Sequence, residues 1–145
     1  MAQIIIHTND NDGISVTYPT PEYLESHTIQ DVLSKDCPDH AIIVDSSILP
    51  ESDNDFFDAW ELNNSIVSVN IKKAIAIQQN LLNSLAKTEA QYRMTNTASG
   101  IDNKLVDADW LALLTTARST ISSATTTQEL RDAIVPIQSA ITANK

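Results

Sequence analysis

The chain has 145 residues, 42% of them hydrophobic, with no run approaching the ~20 apolar residues of a membrane span, so it should fold as one small domain or a small domain with an appended helical part. Its single cysteine, Cys37, excludes an internal disulfide, and its two glycines, Gly13 and Gly100, exclude a phosphate-binding loop and a dinucleotide fingerprint. The formal charge of −10 is uneven, with 13 acidic residues against one Lys in residues 1–65 and 6 acidic against 8 basic in residues 66–145; such a carboxylate field repels phosphates, so neither nucleic acid nor anionic membrane is an expected partner.

The first half reads as short β elements. Gln3 to Thr8 and Ile14 to Tyr18 are rich in β-branched residues and flank Asn9-Asp10-Asn11-Asp12-Gly13, whose Asp-Gly pair signals a hairpin turn. Pro19 and Pro21 stop the second strand, and Thr28 is placed to cap a short helix across Ile29, Val32 and Leu33 that ends at Cys37-Pro38. Ala41 to Val44 makes a third strand, and Asp45 to Asp55 has the composition of an exposed acidic loop. The rings of Phe56, Phe57 and Trp60 then clamp the α/β part to the start of the helical half, a structural role in preference to a partner anchor.

Beyond Val67 the pattern changes. From Val69 to about Met94 there is no Gly or Pro, and Ile71, Ile75, Leu82, Leu85 and Tyr92 recur at helical spacing, which predicts one long helix of roughly 39 Å. A second helix begins at Asp107 and carries Trp110, Leu111, Leu114, Ala117 and Ile121; a third is opened by a Thr126/Glu129 capping box ahead of Leu130, Ile134, Ile137 and Ile141. Pro136 is expected to kink or split that third helix. Nine of the thirteen residues from Thr115 to Thr127 are Ser or Thr, and the Ala117/Ile121 spacing makes them the hydroxyl-rich outer face of a helix in preference to a linker. The expected class is therefore α+β: an acidic α/β unit over residues 1–65 containing a β-hairpin, then a helical part over residues 66–145 with one long helix and a C-terminal helical hairpin.

Little in the sequence supports catalysis or a cofactor. A calcium loop built on Asp10 and Asp12 would need ligands at Thr8 and Pro19, and Cys37 with His40 supplies only half a zinc site and a poorly oriented nucleophile pair. Neither an enzyme nor a metal protein is expected. The long helix exceeds the reach of the two shorter ones, so its stripe of Ile71, Ile75, Leu82, Leu85 and Tyr92, interrupted by Gln78 and Glu89, is expected to meet a partner or a second copy of this chain.

Five segments, "QIIIHTNDNDGISVTYPTPE", "IIVDSSILP", "FFDAWEL", "VNIKKAIAIQQNLLNSL" and "TTTQELRDAIVP", in that order, resemble small tail fibre assembly proteins of tailed bacteriophages over most of the chain. The family-motif residues are Asp58, Ala59, Trp60 and Glu61, followed by Lys73 to Ile77 and by Thr126 to Leu130. The resemblance implies an accessory factor without ATP or other cofactor that binds the fibre polypeptide and promotes its folding and trimerisation. It would work in the host cell cytoplasm, which the absence of a basic lead and apolar stretch after Met1 also suggests, or remain in the virion tail as a minor structural component. A further alternative, an acidic DNA mimic that inhibits a basic host protein, is disfavoured because the carboxylates cluster around turns.

Overall fold

The computed structural model describes residues 2–145, an α+β chain that divides into two compact units at Asn70–Ile71, five residues beyond the boundary expected from the charge pattern. In the first unit β1 (Gln3–Thr8) and β2 (Ile14–Thr17) form the expected antiparallel hairpin, with Ile6 opposite Val16 and Thr8 opposite Ile14. The Asn9 side chain organises its turn, its Oδ1 accepting the N–H groups of Asn11 at 3.0 Å and Gly13 at 3.1 Å, while Asp12 takes a positive φ of 60°. Asx residues tolerate that conformation because their short polar side chains bond locally. These local bonds make the acidic tip a turn.

After a single helical turn, α1 (Pro21–Leu24), the chain enters α2 (Ile29–Asp36) through a complete capping box: the Asp31 N–H donates to Thr28 Oγ1, and the Thr28 N–H donates back to the Asp31 carboxylate at 2.8 Å. That backbone bond holds the Asp31 carboxyl below its ordinary pKa. Strand β3 (Ile42–Asp45) pairs antiparallel with β1, giving the sheet order β2-β1-β3.

The central strand is buried on both faces, and Ile4, Ile5 and Ile6 have no exposed surface. Ile5 and Ile43 pack with Val32, Ala41, Ile29 and Leu33 under α2. Ile4, Ile6 and Ile14 pack on the opposite side with Leu49, Trp60 and Val67. This alternation follows from the two-residue period of a strand.

The layer on that second side departs from expectation. Residues Ser46–Ile48 and Glu51–Ala59 form 3₁₀ turns where an irregular acidic loop is expected; Glu51 and Asp55 are exposed as expected, whereas Leu49 and Phe56 are buried. Trp60 begins a second antiparallel hairpin, β4 (Trp60–Asn63) and β5 (Ile66–Val69), with Trp60 opposite Val69 and a turn at Asn64, whose φ is +58°. The Trp60 indole N–H donates to the Asp53 carbonyl at 3.2 Å, so its one polar group is satisfied at 2% exposure.

The second unit is three helices, α3 (Ile71–Ala98), α4 (Asp107–Ser122) and α5 (Thr127–Ala143), each packed against both others. At 28 residues α3 runs about 42 Å. It ends in a Schellman motif: Gly100 has φ +73°, its N–H bonds the Thr97 carbonyl, and the Ile101 N–H bonds the Asn96 carbonyl at 2.8 Å.

The hydroxyl-rich segment is helical as far as Ser122, and Thr115, Thr120 and Ser123 turn their hydroxyls back onto carbonyls four residues earlier. At the start of α5 the Thr126 hydroxyl accepts the Glu129 N–H as expected, whereas the Glu129 carboxylate reaches the Thr125 N–H at 3.0 Å. Pro136 does not split α5, which continues to Ala143; it sits on the exposed face, where the carbonyl it strands can be hydrated.

Candidate functional site

Along α3 the buried positions Ala74, Gln78, Leu82, Glu89, Arg93 and Asn96 recur mostly every three or four residues and form the seam of the helical unit. Leu82 has no exposed surface, and the Gln78 amide donates to the Leu130 carbonyl of α5 at 2.8 Å. Glu89 is 2% exposed and accepts a 2.8 Å bond from the Asn144 amide; Ile71, Ile75, Leu85 and Tyr92 are half-buried, and the Tyr92 hydroxyl donates to the Asn144 carbonyl. Of the stripe expected to meet a partner, Gln78, Leu82 and Glu89 are therefore buried within the chain, while Ile71, Ile75, Leu85 and Tyr92 keep part of their surface. Its polar interruptions, Gln78 and Glu89, bind α5 and the chain end, which explains why they stand in an otherwise apolar row.

The second half of that seam is a polar hub. Arg93, 6% exposed, donates from Nη1 to the Asp107 carboxylate at 2.8 Å and from Nη2 to the Leu105 carbonyl at 2.7 Å, and its Nε lies 3.7 Å from Glu89. Asn103 accepts from both the Asn96 and Asn144 amides, at 3.0 and 3.2 Å, and Asn144 Oδ1 accepts the Lys104 N–H at 2.7 Å. One network thus ties the α3–α4 loop and the C-terminal end of α5 to the same two turns of α3. The buried Arg93 Nε makes no hydrogen bond and meets Glu89 at ion-pair distance, while the amides and carboxylates around it are hydrogen-bonded, as burial in the interior demands.

Beside the hub an open groove of about 810 Å³ runs between α3 and α4. Ala86, Ala90 and Met94 form one wall and Trp110, Leu111 and Leu114 the other, with the Arg93 guanidinium 5.5 Å from the Trp110 ring centre. Met94 and Leu111 are 71% and 59% exposed and leave apolar surface open in this groove. The alanines keep the α3 wall low, so the groove can admit side chains from another polypeptide.

The Asp-Ala-Trp-Glu residues lie in the first unit. Ala59 and Trp60 are buried, Asp58 is exposed, and Glu61 accepts the Asn70 side-chain amide at 2.9 Å while the Asn70 N–H bonds the Ala59 carbonyl at 2.8 Å. These contacts fix the entry to β4 and the exit from β5. Beside Trp60 is a second cleft, of about 540 Å³, bounded by Tyr18, Leu49, Glu51 and Phe57.

Among the described residues no three His, Cys, Asp or Glu side chains converge as a metal site, and no helix is long and apolar enough to cross a membrane. His40 donates from Nε2 to the Thr8 carbonyl at 3.1 Å and meets His7 edge to face, while Cys37 is a free thiol packed with the α2 core. No protein-family model, curated protein or solved structure matches this chain.

Proposed function

We propose that this protein is a non-enzymatic assembly chaperone of the phage tail fibre type, which holds part of the fibre polypeptide and promotes its folding and trimerisation without ATP. The resemblance of the ordered motifs supplies the partner. The observation that supports a binding role is the α3–α4 groove, where a pinned three-helix scaffold leaves Met94 and Leu111 uncovered. Long fibrous β-structures expose unpaired edges and apolar surface before their chains associate, and shielding such surface suppresses aggregation. An open groove suits a client that must leave again, since release requires only that the assembled trimer bury the same side chains more completely. No nucleotide step is needed.

Met94→Asp and Leu111→Asp test this placement, because both side chains are exposed and their replacement should leave the helical unit folded. Each substitution is expected to reduce capture of the fibre polypeptide by about tenfold or more, as a charge in the centre of an apolar contact does. Capture at the wild-type level by both variants would rule out the groove as the binding surface.

A further inference from the structure

In the sheet order β2-β1-β3 of the first unit, β2 is an edge strand, paired among the described residues with β1 alone, so its outer main-chain groups have no strand partner in the sheet. The same strand leads directly into the second cleft: Val16 and Tyr18 form one side, and Glu51, Asn54, Phe57 and Trp60 form the other. Three aromatic rings border it, Phe57 and Trp60 with centroids 4.9 Å apart, and Tyr18 is 63% exposed. Glu51, also exposed, stands at its rim. Aromatic faces with a carboxylate beside them are chemically suited to a cationic side chain, whose stem packs on the rings while its head faces the charge.

The surrounding charge selects the same sign. Residues 1–70 carry 13 acidic side chains against the single Lys35. A field of this kind draws basic segments toward it and repels acidic ones. We propose that β2 and the Tyr18–Phe57–Trp60 cleft together form a docking site for an extended, basic polypeptide segment, which adds as a fourth strand beside β2 and places a Lys or Arg side chain in the cleft against Glu51. Main-chain bonds to the strand edge supply register, and the cleft supplies selectivity for the basic residue. The site is separate from the α3–α4 groove and stands whether or not the client is a fibre.

The probe is an acetylated peptide of about eight residues alternating Lys with Val and Thr, titrated into the isotopically labelled full chain. Amide resonances of residues 14–18, 49 and 51–60 are expected to shift together. Glu51→Gln combined with Phe57→Leu, both at exposed side chains, should weaken binding by about tenfold, and N-methylation of the peptide along one edge should weaken it by about as much. The counterpart with Glu in place of Lys should not bind. Shifts scattered over the acidic surface, or affinity unchanged by both the double substitution and N-methylation, would reduce the interaction to diffuse charge attraction and overturn the proposal. So would an absence of binding at millimolar peptide.

Discussion

Arg93→Ala is expected to destabilise the helical unit by about 3–5 kcal/mol, a large share of what a small domain has in reserve. The substitution removes the bond to the Leu105 carbonyl and leaves Glu89, at 2% exposure, without its cationic neighbour. It also takes away the guanidinium packed over Trp110. Asp107→Ala is the control: its carboxylate binds the same guanidinium at 2.8 Å but is 80% exposed, and a bond of that kind in water contributes about 1 kcal/mol or less. Hydrogen exchange should show the loss in α3, α4 and α5, with the strands of the first unit retaining their protection. An Arg93→Ala variant within about 1 kcal/mol of wild type would mean that the hub contributes little to stability.

The comparable substitution in the first unit is Trp60→Ala, expected to cost about 3–5 kcal/mol. The indole is 2% exposed, packs with Ile4, Ile6, Ile14 and Val67, and satisfies its N–H on the Asp53 carbonyl. Its loss opens a cavity between the sheet and the second hairpin and removes a bond that fixes the 3₁₀ segment. The near neighbour Phe57 is 37% exposed, so Phe57→Leu should change the midpoint of urea unfolding little. A Trp60→Ala chain that kept wild-type stability while losing a partner would turn this residue from core to anchor.

Those two sites also mark how far the sequence can be read. The first hairpin, the α2 cap and the three helices are legible because each rests on local chemistry: Asp-Gly at a turn, Thr28 with Asp31 at a helix start, apolar residues at three- and four-residue spacing along α3. The second hairpin escapes such a reading because Trp60-Glu61-Leu62 follows an acidic run and its turn lacks glycine. Asn64 is the available signal, since asparagine accepts the positive φ found there, and the alternation through Ile66, Val67, Ser68 and Val69 agrees with a strand.

The α3 stripe is a helical face, as its spacing predicts, but Gln78, Leu82 and Glu89 within it are buried in the chain itself. Periodicity identifies which residues share a face, whereas the partner of that face is a tertiary fact: Leu82 is fully buried, and Gln78 and Glu89 find an acceptor on α5 and a donor at Asn144. The spacing of Glu89 and Arg93, four residues apart, is a legible pair; its extension to Asn96, Asn103, Asp107 and Asn144 is not, because those residues are brought together only when the loop and the chain end fold back. Met94 and Leu111 carry no sequence mark distinguishing an exposed apolar side chain from a buried one, so the groove is visible only in three dimensions.

The role proposed for the whole chain is tested most directly by the yield of assembled fibre. The fibre polypeptide proposed as its client would be expressed alone, with the wild-type chain, and with the Leu111→Asp variant, and the soluble SDS-resistant trimer measured in each case. A chaperone acting through the α3–α4 groove gives more trimer with the wild-type chain than without it, and a yield with Leu111→Asp close to that of the fibre alone. Equal trimer yields with and without the wild-type chain would contradict that role.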